Sequence, residues 1–338
     1  MSEPATEVAW DGHVANVGEL SGALNALQPT GPAGDPLAVT TVLNLVVAAD
    51  PERAAEAELI IESLADHQPS RAIIVARDPD GDGIDAHVEA RAQLMGSTHT
   101  PSRVELLHLR LHGAAADGAA SAVRALLRAD LPVYVWWPDL PDPADPVFVE
   151  LAQRADRLIV EAGHGDGALG IRRLDQSISD RGAAVTDLAW AALTPWRQLL
   201  NQLTTREHLE HMREGATATI RHGAAEPTLG ALLLAGWLHD TIGPTTTTLF
   251  ASAPRGGDPS ICEVRLADPS GRVVEIDRVM GRAAAAVVTH APDGTTHDRM
   301  MPMPEPTRAQ LLAGELELQR RDRPFERAVR AARRLVGA

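Results

Sequence analysis

Two apolar runs on either side of one helix constrain the fold of this 338-residue chain more than any other feature. Residues 40–49 (TTVLNLVVAA) and 71–78 (RAIIVARD) have the continuous, β-branched character of strands that are buried on both faces. Asp50 stands where a helix N-cap is expected, Pro51 stands at the first helical position, and acidic residues follow. A strand, a helix and a strand at this spacing predict a βαβ unit and hence a parallel sheet.

The following residues interrupt this pattern once and then resume it. In residues 83–94 (GIDAHVEARAQL) apolar and polar residues alternate, which is typical of a half-buried strand, and residues 102–113 are its predicted partner. Further elements are predicted at residues 118–130 (helix), 132–137 (strand), 145–155 (helix) and 156–162 (strand). The sequence therefore predicts a three-layer α/β domain with a mostly parallel sheet and one antiparallel excursion.

The second half begins with helices and then mixes helices with short strands. Residues 170–212 are predicted to contain a series of helices, with one helix opened by Thr194 and Pro195 and another capped by Thr204. Later elements are predicted at residues 216–222, 261–268, 272–277 and 282–290 (strands), from Pro227 to Gly243 (an apolar helix), and at the end of the chain (two Arg-rich helices). The predicted regions are a loosely ordered segment at 1–35, the α/β domain at 36–212 and a smaller α+β domain at 213–338.

Composition and charge argue against several classes of function. The formal net charge is -15, and such an acidic surface disfavours binding to nucleic acid and to anionic membranes. No apolar run reaches the roughly 20 residues of a membrane span, and the first residues lack the pattern of a signal peptide. The one cysteine, Cys262, excludes an intramolecular disulfide and a multi-thiolate zinc site. We therefore expect a soluble cytoplasmic protein in which Cys262 is a small packed side chain.

One acidic stretch, DPDGDGIDAHVE at residues 78–89, matches the spacing of a calcium-binding loop. The matching residues are Asp78, Asp80, Asp82, Gly83 and Glu89. The calcium loop of an EF-hand needs a helix on each side, whereas strands are predicted here, and Glu89 falls on the polar face of its strand. An acidic hairpin turn is therefore the favoured interpretation.

The sequence GHGDGA at residues 163–168 matches the Gly-x-Gly-x-x-Ala pattern of dinucleotide-binding loops. Such a loop belongs at the first strand-to-helix turn of a βαβ unit. Here it follows the last strand predicted for the domain, and no returning strand is predicted. We therefore interpret it as a loop without a cofactor.

The sequence EHLEH places His208 and His211 on one face of a helix, with Glu207 and Glu210 beside them. Two histidines three positions apart bind a metal when a third ligand comes from elsewhere. A solvated polar face is the favoured interpretation. No nucleophile elbow is present, and a phosphate-binding loop that needs lysine is impossible because the chain has no lysine. The sequence thus predicts no catalytic residue, no metal ligand set and no cofactor, which argues against an enzyme.

The few aromatic residues are concentrated in two places. Trp136 and Trp137 close the strand PVYVWW, where their side chains point to opposite faces, so both faces of the sheet must be covered there. The second cluster is DLAWAALTPWRQLL at residues 187–200, which contains Trp190, Trp196 and Arg197. Tryptophan and arginine often anchor protein interfaces, and large aromatic side chains equally often fill the core.

Several of these stretches resemble one protein family. The segments LPVYVWWPDLP, ADRLIVE, DLAWAALTPWRQLL and LLLAGWL, in this order, resemble the OpcA family of bacterial glucose-6-phosphate dehydrogenase assembly proteins. The segment HQPSRAIIV at 67–75 is similar to the family's His-Pro-Ser-Arg stretch, with Gln68 inserted. The resemblance extends from about residue 40 onward, and the double tryptophan and LTPWR are its most specific parts.

The resemblance implies a non-catalytic protein that binds glucose-6-phosphate dehydrogenase and supports its active oligomer in the oxidative pentose phosphate pathway. It suggests an allosteric regulator of carbohydrate metabolism without a cofactor of its own. The aromatic clusters would then form a shelf that is partly core and partly exposed to the dehydrogenase. The residues of this partner-binding hypothesis are Trp136, Trp137, Asp139, Asp187, Trp190, Trp196 and Arg197.

Two alternatives and a second candidate surface remain. The protein could be an enzyme or sensor that holds a sugar phosphate or nucleotide in the crevice at the carboxyl edge of the sheet, with Ser70, Arg71 and the Gly163–Gly167 loop as candidate anion-binding groups. It could also be a structural subunit without effect on kinetics. The second candidate surface is the Arg-rich C-terminal segment from Thr307 to Ala338, which contains eight arginines and four acidic residues.

Overall fold

The computed structural model describes residues 6–14, 17–26, 41–64, 69–93, 102–180, 182–204, 206–243, 246–251 and 260–337. The chain divides into two compact units. Unit 1 comprises Met1–Val160, Arg181–Ala184 and Arg308–Gln319, and unit 2 comprises Glu161–Asp180, Val185–Thr307 and Arg320–Ala338. The predicted boundary at residue 212 does not coincide with these borders, because the helices before it cluster with the later residues and a late segment clusters with the first unit.

Unit 1 is built around a sheet with helices packed on it. Its strands are β1 (Thr6–Val14), β2 (Leu43–Ala49), β3 (Ser70–Asp78), β4 (Ile84–Gln93), β5 (Ser102–His112), β6 (Val133–Trp137) and β7 (Arg157–Val160). Its helices are α1 (Val17–Ala26), α2 (Pro51–Leu64), α3 (Ala114–Asp117), α4 (Ala119–Leu126), α5 (Pro146–Arg154) and, near the end of the chain, α11 (Arg308–Glu317). The strand order is β1-β4-β5-β3-β2-β6-β7, and β8 (Ala184–Asp187), whose first residue belongs to this unit, extends it to eight strands.

The predicted βαβ unit is confirmed. β2 pairs in parallel with β3 on one side and with β6 on the other, and all seven residues of β2 are buried. Asp50 caps α2 as expected, because its carboxylate accepts the amides of Glu52 and Arg53 at 3.0 Å. The predicted pair of strands at 83–94 and 102–113 is also confirmed as the antiparallel pair β4 and β5. The α/β fold class with a mostly parallel sheet is therefore confirmed.

Two predictions for unit 1 are wrong. The segment predicted to be loosely ordered contains β1, which pairs with β4, and α1, whose Leu20 is fully buried. The acidic loop between β3 and β4 is not a hairpin turn, since β5 lies between these two strands in the sheet. The loop instead crosses the end of β5, where the ring of His112 contacts the carbonyl of Asp80 at 3.0 Å. Glu89 is 7% exposed and so does not lie on a solvated face.

A helix from the end of the chain completes unit 1. Glu315 of α11 forms a buried ion pair with Arg157 of β7. The hydroxyl of Tyr134, the chain's one tyrosine, donates to the carbonyl of Leu318 at 3.1 Å. Because a buried charge is costly without its partner, this pair fixes α11 on the sheet.

Unit 2 combines a helical layer with a second sheet. Its strands are β9 (Thr217–His222), β10 (Thr246–Ala251), β11 (Ile261–Ala267), β12 (Val273–Arg278), β13 (Ala284–His290) and β14 (Thr296–Pro302), with most of β8. Its helices are α6 (Gly167–Asp180), α7 (Leu188–Ala192), α8 (Thr194–Leu203), α9 (Arg206–Arg213), α10 (Leu229–Ile242) and α12 (Arg323–Leu335). The sheet order is β10-β9-β11-β12-β13-β14, antiparallel except for the parallel pair β9 and β10.

The core of unit 2 is formed around α10, which is apolar on all sides and buried along most of its length. α12 packs against it along a face of small residues. Gly236 makes this close approach possible, because a Cβ at that position would lie 2.2 Å from the carbonyl oxygen of Ala328 and 2.9 Å from the Cβ of Ala332. The spacing of the two helices is thus set by the absence of a side chain.

Four sequence predictions for unit 2 differ from the structure. The helices predicted within residues 170–212 are interrupted by a strand, β8, that was not predicted. Thr194 is the first residue of α8 rather than its cap, and Leu193 holds the cap position. Thr204 ends α8, its hydroxyl donating to the Leu200 carbonyl at 2.7 Å, and the apolar helix α10 starts after Thr228 rather than at Pro227. At Thr194, Thr204 and Pro227 the predicted helix end differs from the observed one by one or two positions.

Unit 1 also contains a cavity of about 410 Å³ between α2 and the strands β4 and β5, which we call the histidine cavity. His87, His108 and Glu58 are among its lining residues, and the rings of the two histidines lie 6.0 Å apart. Burial lowers the pKa of His108 to about 4, and the nearby charge of His87 adds to this effect. His108 is therefore neutral at pH 7, and its 3.4 Å contact with Glu58 is not an ion pair there.

We expect Gly236→Ala to destabilise unit 2 by about 2–3 kcal/mol, because the new methyl group overlaps the backbone of α12. The matched control is Gly314→Ala in α11, where an added Cβ meets no atom within 4 Å. We expect that change to stabilise its helix by about 0.5–1 kcal/mol. Calorimetric unfolding would measure both. An unchanged melting temperature for Gly236→Ala would contradict the close crossing of α10 and α12.

We expect His108 to make the protein less stable at acid pH. Its pKa is about 4 in the folded chain and near 6.5 in the unfolded chain, so the unfolded state binds the proton more readily between these values. The contribution of His108 to folding is complete above pH 6.5 and is lost as the pH falls toward 4. Between pH 7 and pH 5 the wild-type protein should lose about 1–2 kcal/mol more of unfolding free energy than His108→Gln.

The matched control for this measurement is His297→Gln on the exposed strand β14. Urea unfolding at pH 7 and pH 5 would give the difference for each variant. Equal pH dependence in wild type and His108→Gln would show that His108 titrates normally in the folded protein.

Candidate functional site

The first aromatic cluster lies inside unit 1, at the carboxyl end of β6. The exposed fraction is 0% for Trp136 and 6% for Trp137, so both faces of the sheet are covered here, as predicted. The ring of Trp137 packs edge-on against Phe148 of α5, with 5.0 Å between ring centroids. The guanidinium of Arg308 lies 5.2 Å from the ring of Trp136 and contacts Glu56 of α2 at 3.1 Å. Both tryptophans act as core side chains in this unit.

Asp139 is the exposed member of this cluster. Its carboxylate is 42% exposed and lies 3.4 Å from the guanidinium of Arg53, which also contacts Asp50 at 2.7 Å. The hydrogen bond to Asp50 is the main cause that raises the pKa of Arg53. Burial acts to raise the pKa of Asp50, but hydrogen bonds from the backbone and side chain of Arg53 outweigh it, and the net pKa is lowered.

The helix N-termini that follow strands β2, β6 and β7 already hold carboxylates. Asp50 caps α2, Asp145 accepts the amides of Val147 and Phe148 at the start of α5, and Asp166 accepts the amides of Ala168 and Leu169 at the start of α6. In nucleotide-binding α/β proteins a phosphate occupies such a position. Arg77, the other arginine at this edge of unit 1, pairs with Asp145 at 2.6 Å. At the carboxyl edge of the sheet in unit 1, the amides at the starts of α2 and α5 therefore already have carboxylate acceptors, Asp50 and Asp145.

The GHGDGA loop has a different context from the one predicted. It leads into α6, and β8 does follow that helix, so the expectation of no returning strand is wrong. The loop nevertheless lacks room for a pyrophosphate at the helix start. A Cβ at Gly167 would lie 2.4 Å from the carbonyl oxygen of Pro227 and 2.7 Å from the amide nitrogen of Leu229, so backbone already crosses this point.

Ser70 and Arg71, the weak candidates for anion binding, lie at the start of β3 and thus at the amino edge of the parallel strands. Arg71 pairs through its Nε with Glu105, which is fully buried, and donates to the carbonyl of Leu126 at 2.7 Å. Arg128 contacts the same glutamate at 3.3 Å. These contacts give Arg71 a structural role in neutralising Glu105.

The second aromatic cluster lies within unit 2. Asp187 is fully buried and caps α7, accepting the amides of Ala189 at 2.7 Å and Ala162 at 2.8 Å. The indole N–H of Trp190 donates to the carboxylate of Asp322 at 2.7 Å. The other oxygen of Asp322 accepts the amide of Phe325 and caps α12. One aspartate therefore satisfies the start of a helix and ties Trp190 to it.

Arg197 lies against Trp190 rather than in solvent. Its guanidinium carbon is 3.6 Å from the ring centroid of Trp190, and its Nη2 donates to the hydroxyl of Thr194 at 2.9 Å. Trp196 is 1% exposed, and the guanidinium of Arg278 lies 5.7 Å from its ring. Trp190, Trp196 and Arg197 therefore all take part in the packing of unit 2. The two indole rings are buried, and the side chain of Arg197 is only partly exposed.

The exposed face of α12 is a straight row of arginines, which we call the arginine stripe: Arg323, Arg327, Arg330 and Arg334. At 100° per residue these positions fall within about 60° of one another and span about 16 Å. Arg327 contacts Asp240 at 2.8 Å and Arg330 lies 3.8 Å from Glu326. Within the described part of the chain, Arg323 and Arg334 form no ion pair. The stripe is a local concentration of positive charge on an acidic protein.

The remaining motifs provide no reactive centre in the structure. Cys262 is buried and contacts the carbonyl of Arg221 at 3.4 Å, as expected of a packed thiol. His208 and Glu207 of the EHLEH motif fall where side chains lie outside the described residues. Among the side chains that are described, no three histidine, cysteine or acidic groups converge as a metal site requires. Nor does any described helix combine the length and apolarity that a membrane span needs.

Sequence reasoning missed Asp145, Asp166 and Asp322. Asp145 and Asp322 carry a local signal, a proline one or two residues later, and this pattern is typical of a capped helix start. The role of Asp322 as acceptor for Trp190 had no such signal, because the two residues are 132 positions apart.

Comparison with known proteins places these features in a family. Two curated proteins match part of the chain, each named as a candidate OxPP cycle protein OpcA. The protein of Nostoc punctiforme is 28% identical over 53% of this chain and 39% of its own length, and that of Synechococcus elongatus is 23% identical over 63% of this chain and 48% of its own. This chain thus matches less than half the length of these relatives.

Solved structures also match this chain at low sequence identity. A UDP-N-acetylglucosamine 3-dehydrogenase of Acidithiobacillus ferrooxidans is 12% identical with a TM-score of 0.47, covering 89% of this chain and 98% of that one. A dehydrogenase of Chromobacterium violaceum is 14% identical with a TM-score of 0.43, covering 88% and 94%. Similarity at this level bears on neither function nor mechanism.

Two domain families match consecutive parts of the chain. Residues 61–174 match the glucose-6-phosphate dehydrogenase subunit N-terminal domain, and residues 183–329 match the corresponding C-terminal domain. Together the two matches cover most of the sequence, including both tryptophan clusters and the first two residues of the arginine stripe. The chain therefore belongs to the OpcA family, whose two domains are described as those of a glucose-6-phosphate dehydrogenase subunit.

Proposed function

We propose that this protein is a non-catalytic assembly factor that binds glucose-6-phosphate dehydrogenase and activates it. The observation that carries the proposal is the match of both OpcA domains over most of the chain. The chemistry of unit 1 supports a role without substrate binding, since Asp50 and Asp145 accept the helix amides at the carboxyl edge of the sheet. The proposed partner belongs to the oxidative pentose phosphate pathway and implies a cytoplasmic location.

Activation by such a factor requires a difference in affinity. The protein shifts the dehydrogenase toward its active oligomer only when it binds that state more tightly than the inactive one. A rigid binding surface favours this discrimination, because less conformational entropy is lost on association.

The proposed role of the tryptophans is to hold this surface in shape. Trp136 and Trp190 are at most 1% exposed, so their rings are available to a partner only after their unit rearranges. We place direct contact on exposed residues instead: Asp139 beside the first cluster, and the arginine stripe of α12, whose helix is anchored through Asp322 to Trp190. Arginine side chains bind carboxylates in a paired geometry, so the stripe fits an acidic surface of the dehydrogenase.

We expect the protein to raise the activity of the dehydrogenase from the same organism in a saturable manner. The initial rate would be measured across glucose 6-phosphate concentrations with and without an excess of this protein, together with the size of the complex in solution. A change in KM or in kcat would identify the step that improves. No complex at micromolar concentrations and no change in rate would contradict the proposed function.

We expect Arg323→Glu to weaken the complex about tenfold or more, because it reverses one charge of the arginine stripe. Arg323 is the first residue of α12, where an acidic side chain suits the helix dipole, so folding should be preserved. The affinity for the dehydrogenase would be measured at low and high salt.

The matched control is Arg282→Glu, the same charge change at an exposed turn between β12 and β13. The wild-type affinity should fall with added salt more steeply than that of Arg323→Glu. Equal losses in the two variants would show that net charge matters rather than the stripe, and the docking surface would then lie elsewhere.

A further inference from the structure

A cavity of about 400 Å³ lies within unit 2, between Trp196 of α8, the start of α10 and the ends of strands β11 and β12. We call it the Trp196 cavity. Its size is that of a pocket for a small organic molecule. Most of its lining is apolar, with Leu193, Leu229 and Pro306 beside the indole of Trp196. Trp196 itself is only 1% exposed, so the apolar surface that a ligand can reach is that of Ala189, Ala192 and Pro306.

The charged residues that line the Trp196 cavity are Arg278 and Glu305. The side chain of Arg278 is 13% exposed, and its Nε is buried without an acceptor among the described residues. Glu305 is half exposed and lies 3.5 Å from the Nη1 of Arg278, which is long for a charge-assisted hydrogen bond. The guanidinium therefore has unused donor capacity at its Nε.

A backbone donor contributes at the same place. Gly230, in the first turn of α10, lines the cavity, and no acceptor for its amide is found in the described part of the chain. The capping hydroxyl of Thr228 accepts the amide of Ala231 and leaves the Gly230 amide free. A guanidinium and an amide on one cavity form a set of donors for a single anionic group.

We propose that the Trp196 cavity binds a small organic anion, whose carboxylate or phosphate contacts Arg278 and the Gly230 amide while its apolar part packs on Ala192 and Pro306. Glu305 is the competitor in this arrangement, because its carboxylate faces the same guanidinium and repels the ligand. The two charged residues therefore have opposite effects on binding. The site is independent of the dehydrogenase, so it can be tested on this protein alone.

The test uses four probes and calorimetric titration of the full chain. Phenyl phosphate and benzoate carry both a ring and an anionic group, inorganic phosphate lacks the ring, and phenol lacks the charge. We expect phenyl phosphate or benzoate to bind saturably and at least tenfold more tightly than inorganic phosphate and phenol. The tighter of the two ring anions identifies the preferred head group.

Two variants assign this binding to the cavity. Arg278→Gln should weaken it at least tenfold, since a charge-assisted contact is lost. Glu305→Gln should strengthen it several-fold, since a repelling carboxylate is removed. Glu305 is half exposed, so this variant keeps the proposal testable even when Arg278→Gln does not fold.

The proposal is overturned by any of three results. The first is the absence of saturable binding of either ring anion at 10 mM, and the second is equal binding by wild type and a folded Arg278→Gln. The third is an affinity of Glu305→Gln that is unchanged or lower than that of the wild type. A melting temperature measured for each variant distinguishes lost binding from lost folding.

Discussion

Carboxylates of the chain's own aspartates accept the first-turn amides of five helices, and much of the molecule depends on this interaction. The capping residues are Asp50, Asp145, Asp166, Asp187 and Asp322. The first amides of a helix have no acceptor within the helix, and each capping carboxylate contributes about 1 kcal/mol by accepting them. The same contacts place negative charge at the positions where an α/β protein otherwise holds a phosphate. The scaffold of a ligand-binding fold is thereby used for internal stability.

Asp322 connects helix capping with the surface of unit 2. It caps α12 and also accepts the indole N–H of Trp190, while Gly236 lets the helix approach α10 closely. The position and rotation of α12 are therefore fixed by buried contacts on one side. Its exposed side presents the arginine stripe in a single orientation. The backbone that carries these charged side chains is therefore held in place by the packing of α12. A partner that meets this stripe orders side chains but does not have to order backbone.

Local patterns predicted those elements that depend on local forces. The βαβ unit at 40–78 was evident because continuous apolar runs and an Asp-Pro helix start are both encoded within a few residues. β8 was missed because four residues, AVTD, are too few for a periodic signal. The hairpin predicted after Asp78 was wrong because turn residues specify a turn and not the strand that pairs next. The pairing of Arg71 with Glu105 could not be predicted from the sequence, since it joins residues on different strands.

The tryptophans show where sequence reasoning about a site ends. The sequence does not distinguish a tryptophan whose ring fills a core from one whose ring binds a partner, because the packing that decides between these roles is non-local. In this chain the rings of Trp136, Trp190 and Trp196 are buried, and arginine guanidinium groups lie against them from outside. The aromatic residues therefore supply shape, and charged groups are the part of each cluster nearer to solvent. Recognition built on such a surface is electrostatic at its rim, which makes association fast and sensitive to salt rather than driven by the burial of a large apolar area.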